Sequence, residues 1–224
     1  QGFIDKAEET IAEIRTMSLG IMTEVALAEI EGFIKHARRQ MDQITRRVLQ
    51  GETIPHEEKV FSIFEQHTEW ISKGKAGVPQ ELGLRVCIVE DQYKFILHQQ
   101  VMEKETDDKV AVPIIRKTKE GFPELKKCSF DKGYHSPTNR TDLGQILEQV
   151  ILPKKGKLTL KEKERESSKD FVSIKRQHSA VESAINALGN HGLDMCPDHG
   201  IYGFKRYVAF AVLARNIQNL GNII

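Results

Sequence analysis

The chain has 224 residues, 39% of them hydrophobic and 29% charged, which predicts a folded protein with one domain of ordinary size and an appendage. The formal net charge of +1 argues neither for nor against nucleic acid, because a basic stripe can be balanced by acids elsewhere. Three widely spaced cysteines, Cys87, Cys128 and Cys196, argue against a disulfide framework and for a reducing cytoplasm. The longest apolar run, Tyr207 to Ala214, is far too short to span a bilayer, and no signal peptide is visible. The chain opens on Gln1 in a helical pattern, so the expectation is a fragment whose natural N-terminus lies upstream.

In chain order, apolar residues recur at helical spacing from Phe3 to about Leu49: Ile4, Ala7, Ile11 and Ile14 in one series, Ile30, Phe33, Ile34, Ala37, Met41, Ile44 and Val48 in another. Gly20 and Gly32 interrupt the pattern, predicting two helices, the second with Arg38, Arg39, Arg46 and Arg47 on its polar side. Gly51 and Pro55 end this arm, so residues 1–55 form a helical connector and residues 56–224 a separate domain. Lys59 to Glu65 reads as a buried strand, and Leu84 to Asp91 with Phe95 to Met102 reads as a hairpin. Lys73 to Pro79 between them is a basic, mobile loop by composition. A helix from Asp107 or Asp108 stops near Gly121 and Pro123, and Leu125 to Asp131 is a fourth strand. A helix over Leu143 to Gln149 leads to a fifth strand, Val150 to Pro153. Lys161 to Lys169 is a charged connector or helix start. Two helices finish the chain, about Asp170 to Leu188 and about Phe204 to Leu220. Three strands, helix, strand, helix, strand, helix is the element order of an α/β ribonuclease H-like fold, a mixed sheet flanked by helices.

Three carboxylates on separate elements point to a metal site: Glu65 and Asp131 at predicted strand ends, and Glu182 on a helix whose apolar stripe is Val181, Ile185 and Leu188 and whose polar stripe is His178, Glu182 and Asn186. In this strand order the first and fourth strand ends are neighbours, which places Glu65 beside Asp131. Clustered acids repel unless cations neutralise them, and hard oxygens favour Mg²⁺ or Mn²⁺. Two such ions roughly 3.5 to 4 Å apart serve phosphodiester cleavage or transfer. Each acid also has a plain reading: strand-end aspartates form turns, and isolated helix glutamates are solvated.

The segments Phe64-Glu65-Gln66-His67-Thr68-Glu69-Trp70-Ile71, Ser129-Phe130-Asp131-Lys132-Gly133-Tyr134-His135-Ser136 and His178-Ser179-Ala180-Val181-Glu182-Ser183-Ala184-Ile185-Asn186 resemble bacterial insertion-sequence transposases of the DDE class. The most specific signal is Asp-Lys-Gly-Tyr followed by Ser-Pro-x-Asn, Ser136 to Asn139. The resemblance covers roughly three quarters of the chain, from Lys59 onward, and implies a ribonuclease H-like catalytic domain that cleaves transposon ends and transfers the strand to target DNA. It implies Glu65, Asp131 and Glu182 as metal ligands, double-stranded DNA as partner, a homodimer assembled on DNA, no membrane, and a bacterial cytoplasm. The chain departs from the family pattern at Glu65, where aspartate is usual, and at His178 and Gly189, where arginine and lysine are usual. Glu69 and Asp91 therefore remain rivals for the first acid. A catalytically impaired remnant that binds DNA or serves assembly is the alternative.

Lys132, Lys154, Lys155, Lys157, Lys175, Arg176 and His178 surround these acids in sequence and are the candidate DNA contacts. Lys205 and Arg206 read as a solvated helix start. His191, Cys196 and His199 have spacings that zinc could use but lack an obvious fourth ligand, so an ordinary loop is expected. Trp70 reads as a core or loop anchor.

Overall fold

A computed structural model describes residues 1–17, 20–72, 80–193 and 195–224, with the backbone alone described at positions 177, 179, 180 and 182. The basic loop expected at Lys73 to Pro79 lies outside the described residues. The protein is mixed α/β, and its contacts divide it into two compact units, Gln1–Gly83 and Leu84–Ile224, where the sequence suggests a division at residue 55.

The first unit opens with two helices, α1 (Gly2–Thr16) and α2 (Ile21–Ile44), joined through Gly20 at φ 95°. Ile11 and Leu27 are their buried positions. Ion pairs between Arg15 and Glu31 (2.8 Å) and between Arg38 and Glu8 clamp the hairpin. A π turn, Thr45–Leu49, ends α2. The strand expected over Lys59 to Glu65 does not form. The side-chain amide of Gln43 takes the place of a ladder partner, donating to Val60 O at 3.4 Å and accepting from Val60 N at 2.8 Å. The strands lie further on, as the antiparallel pair β1 (Glu69–Ser72) and β2 (Gln80–Gly83). Trp70 on β1 stacks against Phe61 at 5.8 Å between ring centroids, in keeping with an anchor.

The second unit begins with the expected hairpin, β3 (Arg85–Glu90) and β4 (Ile96–Met102), in register from Arg85 opposite Met102. Helix α3 (Asp107–Gly121) follows, then β5 (Lys127–Ser129), α4 (Pro137–Ile146), β6 (Gln149–Ile151), α5 (Leu160–Ser167), α6 (Lys169–Leu188) and α7 (Gly200–Gly221). Strands β5 and β6 are parallel, Ser129 opposite Ile151. Among the described residues the strands form three two-stranded sheets rather than one continuous sheet. Helix α4 starts earlier than periodicity suggests because Ser136 caps it, accepting from Asn139 N, and Pro137 occupies its first position. Helix α5 is held by a capping box between Thr159 and Glu162.

Alternation along the strands makes this unit three layers thick. Cys87, Val89 and Met102 from the hairpin, with Cys128, Phe130, Val150 and Leu152 from the parallel pair, pack on Val110, Ile114, Ile115 of α3 and Leu143 of α4. The opposite face carries Ile88 and Ile96, which meet Leu188 of α6 and Ala211 and Val212 of α7. Helix α6 also packs along β5 and β6, where Ile151 is buried on the face away from Leu152. Among the described side chains of α6 the buried positions are Phe171, Ala184 and Leu188. Of the expected core stripe Leu188 is buried, whereas Ile185 is 54% exposed and its neighbour Ala184 is buried. All three cysteines are free thiols, and burial pushes the Cys128 thiol up to about 12. Among the described residues no helix is long and apolar enough to cross a membrane.

Candidate functional site at the edge of the parallel strands

Parallel strands end on the same side, so the residues after β5 and β6 share one edge. Phe130 continues the pairing through its N–H to Ile151 O at 2.9 Å, and Asp131 follows in extended conformation as the cap of a 3-10 turn, Lys132–Tyr134. Its Oδ1 accepts from Lys132 N at 2.7 Å. Asp131 is exposed, and it forms no ion pair among the described residues. Because Cys128 and Phe130 face α3, Ser129 faces the layer of α6; Asp131 lies past the last residue of β5, its carboxylate turned onto Lys132 N. Ser129 Oγ is buried there without a hydrogen-bond partner among the described residues.

The phrase after Asp131 is built to hold that carboxylate in place. Tyr134 packs its ring on Phe130 at 5.8 Å, and its hydroxyl meets Cys87 Sγ at 3.1 Å. Asn139 is buried, and its Nδ2 donates to Asp108 O at 2.6 Å and to Tyr134 O at 2.8 Å, tying the turn to the start of α3. Gly133 sits against α3 as well: a Cβ there would stand 2.5 Å from Asp107 Oδ2. Asp107 is in turn paired with Arg85 at 3.2 Å. The sequence marked Ser136 to Asn139 only as part of a family-like phrase; the tie made by the Asn139 amide, the Arg85–Asp107 pair and the orphan Ser129 hydroxyl had no sequence signal.

The other acids occupy different places. Glu182 lies on α6, the helix that packs on β5 and β6; its side chain is outside the described residues. Glu65 belongs to the first unit and stands in a turn, half-buried, with Ser62 Oγ accepting from its N–H at 3.0 Å and His67 Nε2 at 3.4 Å from its carboxylate. Glu69, one rival, opens β1 opposite Gly83. Asp91, the other, is engaged in closing the hairpin, where its Oδ1 accepts from Tyr93 N at 2.8 Å and from Phe95 N at 2.9 Å. Among the described residues, no group of three or more His, Cys, Asp or Glu side chains forms a cluster that could hold a metal ion. The carboxylate of Asp131, exposed and without a cation partner among the described residues, is of the hard donor type that suits Mg²⁺ or Mn²⁺.

Of the candidate cations, Lys154 is committed internally. Its Nζ donates to Glu162 Oε2 at 2.8 Å, and its backbone N–H donates to Glu166 Oε1 at 2.7 Å. The Lys154 ammonium, with the Thr159 N–H and hydroxyl, holds the Glu162 carboxyl down at about 2. Lys132, Lys155 and Lys157 are exposed, and Lys155 lies close enough to Asp108 to help keep that carboxyl low, after the larger effect of a hydrogen bond from Thr106. Lys175 and Arg176 are exposed on α6, and His178 is half-buried on its inner side. In the arm, Arg38, Arg39 and Arg46 are ion-paired with Glu8, Glu58 and Glu52. Lys205 pairs with Glu103 and Arg206 with Asp198, so both are surface ion pairs. Of the residues considered for zinc, His191 donates through Nε2 to Gln218 Oε1 at 3.1 Å and Cys196 Sγ donates to Asp198 O at 3.5 Å. No family model matches the chain, and neither the curated proteins nor the solved structures compared with it gave a match.

Proposed function

We propose that the chain carries the ribonuclease H-like catalytic domain of a DDE-class transposase, which cleaves transposon ends and joins them to target DNA. One observation carries this reading: an exposed carboxylate, Asp131, follows the C-terminal end of β5, and the helix bearing Glu182 packs on β5 and β6. Asp131 and Glu182 would hold Mg²⁺ or Mn²⁺, which when bound supplies Lewis-acid stabilisation of the scissile phosphodiester. Asp131 is held in a fixed direction by its own turn, so its charge reaches the edge without rearrangement. Lys155, Lys157 and Lys132 supply positive charge around that edge for the phosphate backbone of double-stranded DNA. A homodimer on DNA follows from the need to act on two ends.

The test is Mg²⁺-dependent nicking of supercoiled plasmid by the wild-type chain, Asp131→Asn and Glu182→Gln. Nicking is lost in both variants, while DNA binding and far-UV circular dichroism stay as in the wild type, because the carboxamide oxygen introduced by Asp131→Asn can still accept from Lys132 N. Equal nicking by wild type and Asp131→Asn removes Asp131 from the mechanism. DNA binding by a wild type that never nicks favours the assembly role instead.

A further inference from the structure

No residue of helix α5 is buried, and its one apolar side chain, Leu160, is 79% exposed, so apolar burial does not hold the helix in place. What holds it is a set of polar contacts to the end of β6. Lys154 Nζ donates to Glu162 Oε2 at 2.8 Å and Lys154 N to Glu166 Oε1 at 2.7 Å. Arg165 Nη2 donates to Leu152 O at 3.3 Å, with its guanidinium 5.5 Å from the centre of the Phe171 ring. This arrangement is incompletely satisfied, because Arg165 Nε is buried with no hydrogen-bond partner among the described residues. Each flank has a joint: Gly156 before the helix has φ 91°, and Ser168 after it is extended at ψ 145°, so α5 and α6 are not one continuous rod. An eight-residue helix is marginal in water by itself, so release and unwinding of α5 go together.

Charge is sorted across the same segment. Glu162 and Glu166 turn inward onto Lys154, while Lys155, Lys157, Lys161, Lys163 and Lys169 are exposed, and Glu164 is the exposed acid of the helix. The segment starts at the edge that carries Asp131: Lys155 lies close to Asp108, whose carbonyl accepts from Asn139 in the Asp131 turn. We infer that residues 154–168 form a hinged strap over the end of β6, and that a phosphodiester backbone bound at this edge releases it. The release rests on the DNA reading above; the strap does not. With the strap closed, Lys154 and Arg165 are engaged internally and two carboxylates stand beside them. With it open, both cations are available to phosphate and both carboxylates can move away. A ligand shifts a two-state equilibrium only through its preference for one state, and a polyanion prefers the open strap on both counts. Lys154 is then held in reserve, joining Lys155 and Lys157 once DNA has engaged the edge.

Hydrogen exchange of the whole chain, read by mass spectrometry, tests this in about 50 mM salt, in about 500 mM salt, and in the lower salt with a DNA duplex of roughly 20 base pairs, whose binding is followed by fluorescence anisotropy. Amides of α5 exchange about 10-fold faster in the higher salt, because the contacts that close the strap are ionic, while those of α3 stay within about 2-fold. The bound duplex accelerates α5 by a similar factor at low salt. Lys154→Gln and Glu162→Gln each do so without salt or DNA. Equal protection of α5 and α3 in every condition overturns the strap. A duplex that binds and leaves α5 unchanged or slower overturns the release alone. One that does not bind refutes the DNA reading together with the release, while the salt response still reports the strap.

Discussion

Replacing Asn139 with alanine tests whether the Ser-Pro-x-Asn phrase serves as a lock for the turn that carries Asp131. The side-chain amide is 7% exposed and donates two hydrogen bonds, to Asp108 O and Tyr134 O. Alanine leaves both carbonyls in a buried setting with one donor fewer each. An unmet buried hydrogen bond costs about 1–3 kcal/mol, and Asp108 O keeps a second lone pair for the helix, so about 2–3 kcal/mol is expected for the pair. The Asn139 backbone N–H still donates to Ser136 Oγ, so the cap of α4 survives and the loss belongs to the amide. Urea unfolding followed by far-UV circular dichroism reads the change, since the single tryptophan, Trp70, belongs to the other unit. The midpoint falls at unchanged slope. A loss below about 0.5 kcal/mol, the range of ordinary surface changes, refutes the lock.

Three further outcomes follow from the same geometry. Glu162 has a folded pKa depressed to about 2, so its contribution is present above the unfolded value near 4.5 and is lost as pH falls toward 2. Glu162→Gln therefore flattens the dependence of melting temperature on pH across that window, and an unchanged dependence rejects the role of the Lys154–Glu162 pair. Lys155→Ala with Lys157→Ala lowers the slope of log affinity for DNA against log salt by about 2, with no change in melting temperature; an unchanged slope moves the DNA path elsewhere. Adding Lys154→Ala lowers the melting temperature as well, because it strips a hydrogen bond from the capping-box carboxylate, and equal melting of the double and triple variants contradicts that bond.

Local signals were legible where chemistry is local. Helical spacing over residues 3–49, the hairpin around Tyr93, and the helices ending at Leu188 and Leu220 follow from periodicity and turn residues, and the structure places all of them close to where those signals lie. The strand expected over Leu125 to Asp131 was legible in part: it forms as Lys127–Ser129, and Asp131 caps the turn just past it. What tertiary structure decided was the set of partners. Val60 to Phe64 carries a strand-like sequence, but the Gln43 amide, 17 residues away, satisfies the backbone of Val60 and no ladder forms. Nothing local in the sequence pairs Lys154 with Glu162; the fold brings its ammonium within 2.8 Å of that carboxylate. On α6 Ala184 is buried while its neighbour Ile185 is exposed, a choice made by packing between distant segments. Periodicity names a face to within about a residue; which side chain fills it is settled by the volume its neighbours leave.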